Sequence, residues 1–213
     1  IDPTLIFSPR LIVYPGDTVR VLESDRQVDS VTIQSGGTLV FAANTSLTVS
    51  GAVSASSNSA ITVSEGADAT FQGGVDLSDS TFTVETQGGA MIIGSFIARA
   101  NTTTRFEGDV LVTQNVILET DSHFSVSNDA VLVVGGDLIV QNDAYVEVQA
   151  GFPFQVNGDV RIDPGADFAI TDFTPVLCES IVLTIALFNG TAPSGPAPAK
   201  VSFALSSHAG VSA

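Results

Sequence analysis

The 213 residues carry 23 acidic and only 7 basic side chains, a formal charge of -16, with 44% hydrophobic and 14% charged residues. Such a balance repels phosphate backbones and anionic lipid surfaces, and Arg10, Arg20, Arg26, Arg99, Arg105, Arg161 and Lys200 are too scattered to form a basic patch; nucleic acid is excluded as a partner and membrane surfaces gain no attraction. The single cysteine, Cys178, excludes an internal disulfide or a cysteine-based zinc cluster, so the fold must stand on its core, with the thiol expected as a buried apolar group.

With so few charges, the polar surface must be built from Ser, Thr, Asn, Gln and Gly, a β-rich composition of secreted character. The start Ile1-Asp2-Pro3 lacks a basic and then apolar leader, and no apolar run reaches 18 residues; a processed or excised segment fits this, direct membrane insertion does not. The expected location is extracellular or on a cell or virion surface.

In chain order, residues 1–30 read as an N-terminal cap with lead-in strands, 31–173 as repeated coils, and 174–213 as C-terminal strands, a cap and a flexible tail. The repeat shows in its turn residues. Gly37, Asn58, Asp79, Asn101, Asp121, Asp143 and Gly165 follow one another at 21, 21, 22, 20, 22 and 22 residues. Glycine, asparagine and aspartate tolerate left-handed backbone, so this column marks a corner of each coil. A second column runs Asn44, Gly66, Gly89, Asp109, Asp129, Gly151, and a third runs Gly51, Gly74, Ser95, Asn115, Asp137, Asp159. Three corners imply an all-β fold: a single-stranded parallel β-helix, or β-solenoid, of triangular section, with 21 to 22 residues per coil and a cap at each end.

Alternation within the strands assigns the inward side chains. The first face turns in Leu39/Phe41, Ile61/Val63, Phe82/Val84, Thr104/Phe106, Phe124/Val126, Val146/Val148 and Phe168/Ile170. The second turns in Leu47/Val49, Ala69/Phe71, Val110/Val112, Leu132/Val134 and Phe154/Val156, with Met91-Ile92-Ile93 ambiguous by one position. The third turns in Val53/Ala55, Val75/Leu77, Phe96/Ala98, Val116/Leu118, Leu138/Val140 and Val160/Ile162, and turns out Ile97, Ile117 and Ile139 between Asp76 and Arg161. Such an apolar strip is an interface candidate, to be covered by the C-terminal segment or by another chain, or left exposed. Past the coils, Ile181 to Phe188 and Val201 to Leu205 read as strands on either side of a Pro-rich loop, a hairpin beside or over the last coil.

The stretches Tyr14-Pro15-Gly16-Asp17-Thr18-Val19-Arg20-Val21, Val31 to Phe41 and Leu47 to Gly51 resemble the opening of secreted right-handed β-helix proteins, the pectin-lyase-like solenoids, and the extracellular module named for its eight glycines. The resemblance spans residues 9 to 170 and implies the solenoid fold and an extracellular setting. It would imply a polysaccharide-cleaving activity only with the active-site residues of those enzymes. Adjacent aspartates and a Gly-His-Gly segment are missing, and His123 and His208 stand alone.

The chain is therefore expected to be no enzyme, with catalytic and cofactor-binding residues none. Its expected role is a structural or adhesive extracellular solenoid of a surface layer, fibre, matrix or virion, self-associating or meeting surface partners through its outer faces. The competing expectation is a carbohydrate-binding or carbohydrate-cleaving solenoid with glycans as ligands. Stacked carboxylates at Asp121 and Asp143, and at Asp137 and Asp159, form candidate calcium sites, because like charges about 5 Å apart repel unless solvated or bridged. Sequons place candidate glycosylation at Asn44, Asn101 and Asn189.

Overall fold

The computed structural model describes residues 10–127, 130–149, 154–171, 176–183 and 200–204. These form strands and turns with no helix among them. Each turn of the chain contributes one short strand to each of three faces. In one turn these are Phe96–Ala98, Thr103–Phe106 and Asp109–Val112, and in the next Val116–Leu118, His123–Val126 and Leu132–Val134. All three pair in parallel with their successors, Phe96 against Val116, Thr103 against His123 and Val110 against Leu132. The second face is an eight-stranded sheet. The third and first faces join into one 16-stranded sheet, because Val53–Val63 and Val75–Val84 run through the corner between them as continuous strands.

Period-two alternation buries every inward pair expected from the sequence along the solenoid axis, all in one apolar core except the polar Thr104. The ambiguous segment resolves as Ala90 and Ile92 inward and Met91 outward. Phenylalanines dominate the middle of the core. Phe41, Phe71, Phe82, Phe96, Phe106 and Phe124 touch edge to face in series, with centroid separations from 5.1 Å for Phe106 and Phe124 to 6.4 Å for Phe96 and Phe124. Burying each such ring contributes about 2–3 kcal/mol, with a further increment from ring geometry.

Corners are tight because the interior narrows there. At the first corner the N–H of Thr102 donates to the carbonyl of Arg99 at 3.1 Å, and Asn101 between them has φ 55°. The same turn recurs at Asp121, Asp143 and Gly165, and each is followed by a small inward residue, Ser122, Ala144 or Ala166. This column agrees with the sequence reading except at its start, where Gly36 rather than Gly37 is left-handed.

The second and third columns need correction. At the second corner the left-handed residues are Asp25, Asn44, Gly66 and Gln87. Gln87, 21 residues after Gly66, takes the left-handed corner position, so Gly89 opens a strand; Asp109 opens the next one because the corner at Glu107 and Gly108 is shorter than its neighbours and the pairing of Gly89 with Asp109 closes a turn in 20 residues. Asp129 and Gly151 lie outside the described residues. At the third corner only Gly74 has positive φ. There Asn115, Asp137 and Asp159 build a side-chain ladder: Asn115 Oδ1 accepts the N–H of Asp137 at 2.9 Å, Asp137 Oδ1 accepts that of Asp159 at 3.0 Å, and Ser180 Oγ donates to Asp159 Oδ1 at 2.6 Å.

At both ends the described strands continue the stack. Leu11–Val13, Thr18–Val21 and Arg26–Val28 already make a full turn of the stack, pairing in parallel with the strands that follow. At the other end Ser180–Leu183 and Lys200–Ala204 extend the third and first faces in parallel, so the described parts of the two expected strands add rungs and do not pair with each other; residues 184–199 and 205 lie outside the described residues. Alternation in a sequence does not encode strand direction, and the expected hairpin rested on proximity alone.

Candidate interaction surfaces

Outward side chains fall into three columns fixed by the parallel register. On the first face the column runs Arg20, Val40, Thr62, Thr83, Arg105, Ser125, Glu147 and Ala169. A shallow polar groove lies there between Thr103, Arg105, His123, Ser125, Glu147 and Gln149. His123 stacks on Tyr145 with ring centroids 4.7 Å apart, and Arg105 pairs with Glu107. Burial first, and then the charges of Glu147 and Asp167, push the Tyr145 hydroxyl above the ordinary tyrosine range.

On the third face Asp76, Ile97, Ile117, Ile139 and Arg161 stand in consecutive register. The three isoleucines are half-buried, and the charges around them are paired within the chain. Arg99 donates Nε to Asp76 Oδ1 at 2.8 Å, Nη2 to Asp76 Oδ2 at 3.0 Å and Nη1 to Glu119 Oε1 at 2.8 Å. The hydrogen bond and charge of Asp76, aided by Glu119, raise the already high pKa of Arg99. At the other end of the strip Arg161 lies 3.2 Å from Asp137 and 3.5 Å from Asp159. The described parts of the C-terminal segment stack on the end of the solenoid, and they do not run along this strip.

The second face carries an apolar column that the sequence reading left unassigned. Gln27, Thr48, Thr70, Met91, Leu111, Val133, Gln155 and Leu177 stand in register. Met91 is 40% and Leu111 38% exposed, and with Val133 they floor a shallow groove whose lining includes Asp68 and Asp109. The signal was present at Leu111 and Val133. The one-position ambiguity at Met91 hides the continuity of the column from the sequence alone.

The expected calcium carboxylates fall into two different settings. Asp121 and Asp143 are exposed left-handed corner residues in adjacent turns. Asp137 and Asp159 belong to the ladder and face Arg161. Among the described residues no group of three or more His, Cys, Asp or Glu side chains is arranged to hold a metal ion. Asn44 and Asn101 sit exposed at corners with φ 60° and 55°, and Asn189 lies outside the described residues. Cys178 is half-buried against the core, and burial together with Asp159 raises its pKa; the thiol is held in its less nucleophilic form.

A regular core with its variable chemistry turned outward defines a parallel β-solenoid, a fold compatible with structural or adhesive roles. The model of the family described as the B subunits of the discoidin-inducing complex matches residues 23–184, and the chain belongs to that family. Nothing matches among curated proteins or among solved structures. The likeness of the opening residues to pectin-lyase-like solenoids and to the eight-glycine module extends, on these findings, to the solenoid fold alone.

Proposed function

We propose that this chain is a non-catalytic subunit of an extracellular multi-protein complex, a stiff spacer whose outer faces hold neighbouring subunits in place. The observation that carries this reading is the family match over residues 23–184 to a protein described as a complex subunit, a span that takes in most of the stacked turns. The physical properties agree. Hydrogen bonds running along the stack give stiffness, the described interior is filled mainly by apolar side chains, and the faces differ in chemistry as separate contacts require. The reading is tested by tagging the chain in the cells that make it and measuring the native size of the species that carries it in the medium. A large species with other proteins in fixed ratio is expected; a free monomer under gentle conditions would refute the reading.

A second reading, carbohydrate binding or cleavage, is favoured by one feature, the polar groove of the first face with Tyr145 stacked on His123. Planar donors and acceptors beside an aromatic ring suit a saccharide. Glycan-array binding together with a reducing-end release assay separates the two readings, and silence in both leaves the subunit role.

A further inference from the structure

We infer that the second-face groove, floored by Met91, Leu111 and Val133 and rimmed by Asp68 and Asp109, is the docking surface for a different protein chain that presents aliphatic side chains beside arginine or lysine. The inference rests on the reading of the chain as a complex subunit and names the surface that reading requires.

Three observations carry it. First, the outward column changes character, from Thr48 and Thr70 to three consecutive apolar residues, Met91, Leu111 and Val133, and then to Gln155, with a single apolar residue, Leu177, one turn further on. The solenoid tolerates polar side chains in this column, so folding does not demand the apolar ones. Second, Met91 and Leu111, at 40% and 38% exposed, lie open beside Ile93 at 39%, and apolar side chains grouped in this way mark contact surfaces.

Third, the charges differ from those of the rival strip on the third face. There Asp76, Glu119, Asp137 and Asp159 are matched by Arg99 and Arg161. At the second-face groove Asp68 and Asp109 are exposed and make no ion pair among the described residues, although Asp109 Oδ1 accepts the N–H of Val131 at 3.2 Å. An arginine or lysine reaching Asp68 or Asp109 would lay its alkyl stem over Leu111.

The same charges argue against a second copy of this chain. A two-fold contact would bring the aspartates of two grooves together between two chains of formal charge -16. A different subunit with a basic rim meets no such repulsion and gains association rate from it.

Met91 is the only methionine in the sequence, which makes it a footprint for the groove. Peroxide transfers one oxygen atom to its sulfur, giving the sulfoxide and water, and the rate follows exposure. In the isolated full chain Met91 should oxidise readily, and in the native complex at least about tenfold more slowly. Equal rates in both would overturn the proposal, while an absence of any complex would instead remove the reading beneath it. Protection already present in the isolated monomer would mean that the chain covers its own groove. Protection that grows with the concentration of the purified chain would mean a second copy, and either result overturns the inference.

Variants give an independent arm. Met91, Leu111 and Val133 replaced together by threonine, the residue already used at Thr48 and Thr70, should release the chain from the complex, as should Asp68→Lys with Asp109→Lys. Ile117→Thr on the third face should not. Full retention of both groove variants refutes the proposal; Asp109 also accepts the backbone N–H of Val131 at 3.2 Å, so Asp68→Lys alone, at an exposed carboxylate, keeps the test decisive if the other variants fold poorly.

Discussion

Gly108 sits directly against the carbonyl of Gly88, which accepts the N–H of Asp109 at 3.0 Å. A β-carbon on Gly108 would fall inside contact distance of that oxygen and of the carbonyl of Glu85. Both obstacles are backbone, so no side chain can swing aside. Gly108→Ala should cost roughly 1–3 kcal/mol, towards the upper end, read as a lower urea midpoint with an unchanged slope. An unchanged midpoint would mean that the corner opens easily and that tight contact does not set the 20-residue spacing between Gly89 and Asp109.

Thr104 stands inward between Phe82 and Phe124 in the register of the first face, fully buried, and its hydroxyl has no hydrogen-bond partner among the described residues. Thr104→Val keeps the shape and removes the unsatisfied group. The variant should be more stable by about 1 kcal/mol, measured by chemical denaturation. A loss of stability would show that the hydroxyl is satisfied, for instance by an internal water.

Arg99 ties three turns together on the surface, with its side chain 42% exposed and those of Asp76 and Glu119 46% and 31% exposed. Solvent screens such a network, so Arg99→Gln should cost only about 0.5–1 kcal/mol at low salt. The difference from wild type should shrink in 1 M salt, where the Debye length is about 3 Å. A cost above about 3 kcal/mol that ignored salt would mean that packing of the arginine stem, and not its charge, holds the corner.

Tyr145 ionises above the usual value of about 10. A raised pKa means that the folded protein binds the proton more tightly than the unfolded chain. Its contribution to stability is therefore fully present below the unfolded value and is lost as pH rises through the folded one. In a Tyr14→Phe background, where Tyr145 is the remaining tyrosine, absorbance titration should show one late ionisation. Tyr145→Phe should flatten part of the fall in stability at high pH. A midpoint at or below the ordinary value would contradict the burial of the ring.

The core was legible because an inward side chain at every second position leaves a direct mark in the sequence, and Leu39, Phe82 and Val160 needed no knowledge of their neighbours. Corners were legible where the left-handed residue was asparagine, aspartate or glycine, as at Asn101. They were misread at Gln87, whose type gives no warning, and at Asp109, displaced by the short corner before it. Pairing across turns was less legible. The ion pairs of Arg99 join residues 23 and 20 positions away, and the continuity of Met91 with Leu111 depends on a register that only stacking sets. The parallel course of Ser180–Leu183 and Lys200–Ala204 was invisible for the same reason.

Strict alternation in the strands separates two jobs that most proteins entangle. On the second face, Ala90, Val110 and Leu132 keep the chain folded, while their neighbours Met91, Leu111 and Val133 face the outside. Mutation can rewrite the outer set one turn at a time without disturbing the inner set. A chain built this way can be readdressed to a new neighbour while its skeleton stays the same, and two relatives with alike interiors can belong to unlike assemblies.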